Sequence, residues 1–244
     1  MPQVVEATKK RQPLPKHSFV ITFDDGFENN YSVAAPVLAD FNVPATFYIT
    51  TDFVESNSSS WTDRIESAVE TASEIHLDCG IAHLDGAYRT REEKIGLLDK
   101  IRSLVKGDSS RDAYAFADQI CERLGAATFE PDPELDQKMA WAQINELDAD
   151  PLFTVGGHGH THRILDFLDD TDLDNELSTS VNILRSRLGH AVDHYSYPEG
   201  LPNCYSQRVI DLLRRHGVIC APTAEPGNNR VGDDLFRLKR VMVS

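Results

Sequence analysis

The chain has 244 residues, of which 41% are hydrophobic, and its formal net charge at pH 7 is −15. This length and composition are typical of a globular α/β protein and exclude a disordered chain. The acidic balance excludes a general nucleic-acid binder, which needs a basic surface, and it argues against an anionic membrane as a partner. No stretch approaches the roughly 20 consecutive apolar residues of a transmembrane helix.

The first 16 residues include Lys9, Lys10 and Arg11 but no apolar segment behind them, so they do not resemble a signal peptide. We therefore expect a cytoplasmic protein, with an exported form that has lost its N-terminal segment as the alternative. Four widely spaced cysteines without a Cys-x-x-Cys pair predict free thiols. Any metal must then bind histidines and carboxylates.

The first predicted strand, 19–23, is an apolar run that ends in Asp24-Asp25-Gly26. Adjacent carboxylates raise each other's pKa unless a cation or hydrogen-bond donors offset their charge, so the pair favours a metal site or a proton-sharing site. A solvated Asp-Gly turn is the alternative. A helix near 31–40 and a second strand at 45–50 predict a βαβ unit and a parallel sheet.

The middle third of the sequence carries no catalytic motif. It predicts a helix near 65–72, a hairpin over 76–88 with Asp85-Gly86 as its turn, and two polar helices over 90–125. We expect a single domain over residues 1–244, with residues 76–138 as a mainly helical insertion.

The rest of the chain alternates helices and strands. The predicted helices are 141–147, 172–188 and 204–217, and the predicted strands are 153–155, 194–197, 218–221 and 238–243. The strand at 153–155 leads into Gly156-Gly157-His158-Gly159-His160-Thr161-His162, and the strand at 194–197 ends in Tyr197-Pro198-Glu199-Gly200. Ligands of parallel α/β sheets bind at the carboxyl ends of the strands, where these polar groups lie.

A carboxylate and two imidazoles are sufficient ligands for a catalytic Zn²⁺, and Co²⁺ or Ni²⁺ suits the same set. His158 and His162 lie four residues apart, so they share a face if the segment turns helical after Gly157. His160 would then point away. A surface or capping role is the alternative for any one histidine, but three in five residues at a strand end favour the metal.

Three segments resemble the successive motifs of the polysaccharide deacetylase family, the nodulation-factor deacetylase homology domain of carbohydrate esterases. They are Thr22-Phe23-Asp24-Asp25-Gly26, the Gly-x-His-x-x-x-His segment that ends at His162, and Tyr195-Ser196-Tyr197-Pro198-Glu199-Gly200. The flanking stretches 42–49 and 139–141 also look similar, and the resemblance covers about residues 12–75 and 139–243. It implies a distorted (β/α) barrel that uses a divalent metal, with Zn²⁺ expected, to remove acetyl groups from amino sugars.

Carried over by position, the resemblance implies Asp25, His158 and His162 as the metal ligands. It implies Asp24 as the general base that takes a proton from the attacking water, and the backbone N–H of Tyr197 as a donor to the oxyanion. Many members have an arginine just before the Tyr-Pro motif that holds the catalytic aspartate, and this sequence has none there. We predict that Arg240 replaces it, with an ordinary surface arginine as the alternative.

A histidine commonly serves the family as the general acid. His17 and His194 lie at the wrong ends of their strands and His216 at a helix end, so His160 is the best-placed candidate and the acid stays unassigned. The expected partner is an N-acetylated oligo- or polysaccharide of a bacterial glycan, with no nucleic acid, and the oligomeric state is left open. The alternatives are a deformylase or a cyclic-amide or ureide hydrolase of the same fold, and a carbohydrate-binding pseudoenzyme.

Overall fold

The computed structural model describes residues 1–81, 83–126 and 131–243. Its contacts divide the chain into two compact units, one formed by Met1–Ser58 with Pro133–Ser244 and the other by Ser59–Asp132. All the predicted site residues belong to the first unit. The second unit begins earlier than the insertion expected at 76–138, and a single domain over the whole chain stays a prediction.

The elements can be given in chain order. The helices are α1 (Pro2–Lys10), α2 (Ala35–Asp40), α3 (Thr51–Ser56), α4 (Trp61–Thr71), α5 (Arg91–Gly107), α6 (Ala113–Arg123), α7 (Trp141–Ala149), α8 (Asp170–Leu188) and α9 (Gln207–Arg215), with a π-helical turn at Asn30–Ala34 and a 3₁₀ turn at Leu165–Phe167. The strands are β1 (Ile21–Phe23), β2 (Ala45–Ile49), β3 (Ile75–Leu77), β4 (Gly86–Tyr88), β5 (Phe153–Gly157), β6 (Pro222–Pro226) and β7 (Leu238–Arg240).

The first unit is built on a parallel sheet in the order β1-β2-β5. Ile21 pairs with Ala45, which in turn pairs with Phe153. The central strand β2 is buried at every position, as expected for a parallel strand that is covered on both faces. Because the three strands run the same way, the residues that follow Phe23, Ile49 and Gly157 meet at one edge of the sheet.

The mixed α/β fold of the distorted-barrel type agrees with the predicted fold class, although the described residues form no closed barrel. Isolated bridges join Gly157 to Tyr195 and His194 to Cys220, and β6 pairs with β7 in parallel as a separate ladder. The Arg240 side chain of β7 donates a hydrogen bond to Thr22 of β1.

The predicted strands 19–23 and 238–243 are shortened, the second to Leu238–Arg240, and two other predicted strands do not form. Only 21–23 of the predicted strand 19–23 pairs with β2, and Phe19 is 78% exposed. Instead of strands, 194–197 contributes isolated bridges at His194 and Tyr195, and 218–221 takes part in the first of them through Cys220. These predictions were wrong because an apolar run does not by itself supply the neighbour in register that a strand needs.

The second unit packs α4, α5 and α6 with the β3–β4 hairpin around a core that includes Ile65, Leu97, Ile101 and Ile120. Capping boxes begin α4 and α5. The predicted hairpin turn at Asp85-Gly86 was wrong, because Gly86 already belongs to β4.

The four cysteines are free, as the sequence predicted. Among the described residues, no helix combines the length and the apolar character that crossing a bilayer requires.

Gly156 lies where β5 approaches its neighbours too closely for a side chain. A Cβ atom there would come within 2.7 Å of the His194 carbonyl oxygen and 2.8 Å of the Tyr48 ring. We expect Gly156→Ala to lower the free energy of unfolding by about 1–3 kcal/mol through overpacking, measured by urea denaturation. The matched change Gly96→Ala, inside α5 with nothing within 4 Å of the new methyl group, should not destabilise the protein. Equal stability of the Gly156→Ala variant and the unmodified protein would contradict the close approach.

Candidate active site

The polar residues that follow β1 turn back over the edge of the sheet. Asp25 adopts a φ of 72° and Gly26 a φ of 89°, and the Gly26 N–H donates to the Asp24 carbonyl oxygen at 2.9 Å. Left-handed conformations are uncommon outside glycine, and they persist where surrounding contacts determine them. The tight turn aims two successive carboxylates at the same space above the sheet.

Asp25, His158 and His162 lie together at this edge. Asp25 Oδ1 is 3.4 Å from His162 Nε2 and 3.7 Å from His158 Nε2. One possible ligand atom from each of the three residues falls within 4.8 Å of the other two. Two ligands of one tetrahedral Zn²⁺, each about 2.0 Å from the ion, are about 3.3 Å apart. The three side chains therefore have the spacing and the chemistry of a divalent-metal site.

His158 is oriented by hydrogen bonds on both its backbone and its ring. Its N–H donates to the Ile49 carbonyl oxygen at 2.8 Å, and its Nδ1 lies 2.9 Å from the Ser196 carbonyl oxygen. A carbonyl only accepts, so Nδ1 carries the proton and Nε2 keeps its lone pair for a metal. Burial lowers the pKa of His158, outweighing the pull of Asp24 and Asp25. The Nε2 atom is therefore the one that His158 offers to a metal.

His162 lies in a loop that is not helical. The helical turn under which His158 and His162 would share a face is not formed, because Gly159 adopts a φ of 84° and His162 a φ of 57°. The His162 ring stacks on Phe53, with 5.7 Å between ring centroids, and its Nδ1 has no hydrogen-bond partner in the part of the chain that the structure describes. Packing rather than hydrogen bonding holds this ring.

Asp24 lies beside the triad and forms a bidentate ion pair with Arg240. Arg240 Nη1 donates to Asp24 Oδ1 at 2.9 Å, and Nη2 lies 2.8 Å from Oδ2. Burial by itself would raise the pKa of Asp24, but the charges of His158 and Arg240 outweigh it and hold the pKa below the ordinary value. The Arg240 guanidinium acts through both its charge and its hydrogen bond to Asp24, and it helps to keep the carboxylate ionised.

Arg240 is itself fixed by three further contacts. Its Nε donates to the Thr223 carbonyl oxygen at 2.6 Å, Nη1 to Thr22 Oγ1 at 3.2 Å, and Nη2 to Ser196 Oγ at 3.0 Å. The guanidinium thus points inward from β7, so it is not an ordinary surface arginine. Its position on Asp24 is the one that the sequence argument required.

Tyr197 turns its side chain away from the triad. Its hydroxyl donates to the Phe236 carbonyl oxygen at 3.0 Å, and its ring stacks on Tyr205 with 4.5 Å between centroids. Its backbone N–H has no acceptor among the described residues. The backbone, and not the phenol, is therefore the part of Tyr197 that is available to bind an oxyanion.

The remaining histidines do not join the triad. His160 Nδ1 lies 2.9 Å from Thr51 Oγ1, so this side chain is engaged outside the triad. His194 Nε2 is 3.7 Å from Asp193 and His216 Nε2 is 3.5 Å from Asp174. These contacts single out none of them as the general acid.

Three further residues of the site were not predicted from the sequence. Thr50 Oγ1 lies 3.2 Å from Asp25 Oδ1 and 3.0 Å from the His158 carbonyl oxygen. Ser196 contacts both His158 and Arg240. Glu176 accepts hydrogen bonds from the loop between His158 and His162. Glu176 lies on the apolar face of α8 beside Leu177. A charged residue on an apolar helix face is the sequence signal that could have identified it.

Solved structures of deacetylases have the same fold. The Streptococcus pyogenes deacetylase PplD in complex with acetate is 16% identical and superposes with a TM-score of 0.60, covering 99% of this chain and 71% of its own. The deacetylase domain of Bordetella bronchiseptica BpsB is 18% identical with a TM-score of 0.61, covering 98% and 76%. IcaB from Ammonifex degensii is 17% identical with a TM-score of 0.55, covering 99% and 82%. No curated protein sequence matches significantly.

A family model described as polysaccharide deacetylase matches residues 11–94 and 116–221, which is more than half of the chain. The match includes Asp24, Asp25, both histidines of the triad and Tyr197, whereas Arg240 lies beyond it. It confirms the resemblance that the three motifs indicated and extends further into the middle of the chain. The chain belongs to the polysaccharide deacetylase family.

Proposed function

We propose that the protein is a divalent-metal-dependent N-deacetylase that hydrolyses the acetamido group of an N-acetylhexosamine in a glycan or glycan precursor. The observation that carries the proposal is the ionised Asp24 carboxylate held beside the triad of Asp25, His158 and His162. Membership of a family of carbohydrate de-N-acetylating hydrolases supports it. The complex of PplD with acetate also supports it, because acetate is the acid product of a deacetylation.

Asp25, His158 and His162 would hold the metal ion. Their oxygen and nitrogen donors favour Zn²⁺, and Co²⁺ or Ni²⁺ would also fit. When bound, such an ion supplies Lewis acidity, which polarises a carbonyl group and lowers the pKa of a water molecule.

Asp24 is the proposed general base. Its carboxylate accepts a proton from the water that attacks the acetamide carbonyl carbon. Arg240 donates to both oxygens, so the carboxylate cannot rotate freely and stays ionised. The free backbone N–H of Tyr197 donates to the oxyanion that forms when the carbonyl carbon becomes tetrahedral.

Removal of the metal should abolish activity. Treatment with a chelator should lower the rate of acetate release at least about 100-fold, since the reaction then lacks its Lewis acid, and one equivalent of Zn²⁺ or Co²⁺ should restore it. His162→Ala should lose stoichiometric metal, measured by atomic emission after dialysis. The control His190→Ala, an exposed histidine paired with Asp148, should retain it. Full activity of demonstrably metal-free protein would refute metal dependence.

Loss of either member of the Asp24–Arg240 pair should slow the chemical step. We expect Asp24→Asn to lower kcat by about 10²- to 10⁴-fold, the usual contribution of a general base. Arg240→Ala should lower kcat and move the acidic limb of the pH profile to higher pH, because without the guanidinium the pKa of Asp24 rises. Arg240→Lys should rescue it only partly, since an ammonium cannot form the bidentate pair.

The matched control for Arg240 is Arg237→Ala. Arg237 lies three residues earlier and binds Asp234 and Gln207 at the surface. Its removal should leave kcat and the pH profile unchanged. The proposed role of Arg240 would be wrong if both alanine variants had the same kcat and pH profile.

The products of hydrolysis distinguish the proposed reaction from related ones. We expect acetate release from chitin oligosaccharides, measured by coupled enzymatic assay, and at least about tenfold less formate from an N-formylated amino sugar, because a pocket that holds the acetyl methyl group gains binding energy from it. Dominant formate or ureide hydrolysis would favour the related amide hydrolases. Stoichiometric metal without any turnover would favour a carbohydrate-binding pseudoenzyme.

A further inference from the structure

We propose that Glu176 on α8 is a positioning residue that shapes the loop between His158 and His162 for metal binding. The inference rests on the proposed metal site, and it adds to that site a residue that is neither a ligand nor a proton carrier.

Glu176 holds the middle of the loop with both carboxylate oxygens. Its Oε1 accepts the backbone N–H groups of His160 and Thr161, each at 2.7 Å. Its Oε2 accepts the Thr161 hydroxyl at 2.8 Å. The carboxylate therefore fixes two successive peptide groups that lie directly between the two histidine ligands.

The loop needs this support because its backbone is strained at His162. His162 adopts a φ of 57°, in a region that non-glycine residues rarely occupy, whereas the positive φ of Gly159 is ordinary for a glycine. On the opposite side, the N–H groups of Thr51 and Asp52 donate to the carbonyl oxygens of Gly159 at 3.2 Å and His160 at 2.8 Å. The start of α3 and the Glu176 carboxylate thus hold the loop from both sides.

Glu176 is costly as a packing residue. It is 6% exposed and lies on the face of α8 that buries Leu173, Leu177 and Val181. In the described parts of the chain no lysine or arginine pairs with it, so the three donors from the loop offset its desolvation. An apolar side chain would pack at this position without that cost. The charge is therefore explained by the loop that it holds.

Removal of Glu176 should lower the affinity for the metal more than the stability of the fold. Removing Glu176 leaves Asp25, His158 and His162 unchanged as ligands, but it frees the peptide groups that set the distance between the two imidazoles. Residues that orient metal ligands typically contribute about 10- to 100-fold to metal affinity. We therefore expect weaker metal binding from a chain whose donor set is complete.

The test measures the affinity of the full chain for Zn²⁺ alone, by competition with a chromophoric chelator at pH 7. We expect Glu176→Gln, which keeps the size of the side chain, to weaken Zn²⁺ binding about 10-fold, and Glu176→Ala about 100-fold. The visible absorption of the Co²⁺-loaded variants should weaken as the coordination geometry loosens. Asp174→Asn, which removes an exposed carboxylate from the same helix, should leave both measurements unchanged.

Thermal unfolding of the metal-free proteins separates positioning from stability. If Glu176→Gln lowers Tm but binds Zn²⁺ within twofold of the unmodified chain, Glu176 is only structural and the inference is overturned. Glu176→Gln decides the question even if Glu176→Ala fails to fold. If the unmodified chain binds no Zn²⁺, both the proposed metal site and the proposed role of Glu176 are refuted. If the unmodified chain and the variant bind Zn²⁺ equally well, only the role of Glu176 is refuted.

Discussion

The bidentate ion pair between Asp24 and Arg240 is the contact on which the chemistry of this site depends. Two carboxylates that are adjacent in sequence share one small volume, and without a cation they would compete for a proton. The guanidinium keeps Asp24 ionised and aimed, which leaves Asp25 free to face the histidines. One residue from the last strand thus gives two identical side chains different surroundings, which is the basis of the different roles proposed for them.

Backbone groups do much of the remaining work. The Ser196 carbonyl sets the protonation of His158, and the Ile49 carbonyl holds its backbone. Two backbone N–H groups and one hydroxyl of the loop donate hydrogen bonds to the Glu176 carboxylate. The contacts of His158 with these carbonyl groups depend on the path of the chain, whereas the contacts of Glu176 also need its carboxylate. Together they restrain the histidines that would hold the proposed metal.

Parts of the site could be predicted because local sequence patterns indicate their chemistry. An apolar strand that ends in two acids, and three histidines after two glycines, are unusual enough to indicate a metal site. Arg240 was predicted by a different route, from a charge that had to be balanced and an arginine missing where the family has one. The length of β1 could not be predicted, because it depends on where the neighbouring strand pairs with it. The conformation of the loop at His162 could not be predicted either, because it depends on the contacts that hold a strained φ.

The sequence by itself determined the fold class, the family and the side chains able to bind a metal, because hydrophobic periodicity and short motifs are local properties of the chain. Only the tertiary structure decided which groups meet. Arg240 and Asp24 are separated by 216 positions, and they pair because the Arg240 side chain extends from β7 to the residue that follows β1. Glu176 lies in the middle of a helix that has no catalytic motif, and its proposed role follows from its contacts with the loop. Convergence of distant residues on one carboxylate depends on packing, and no local pattern encodes it.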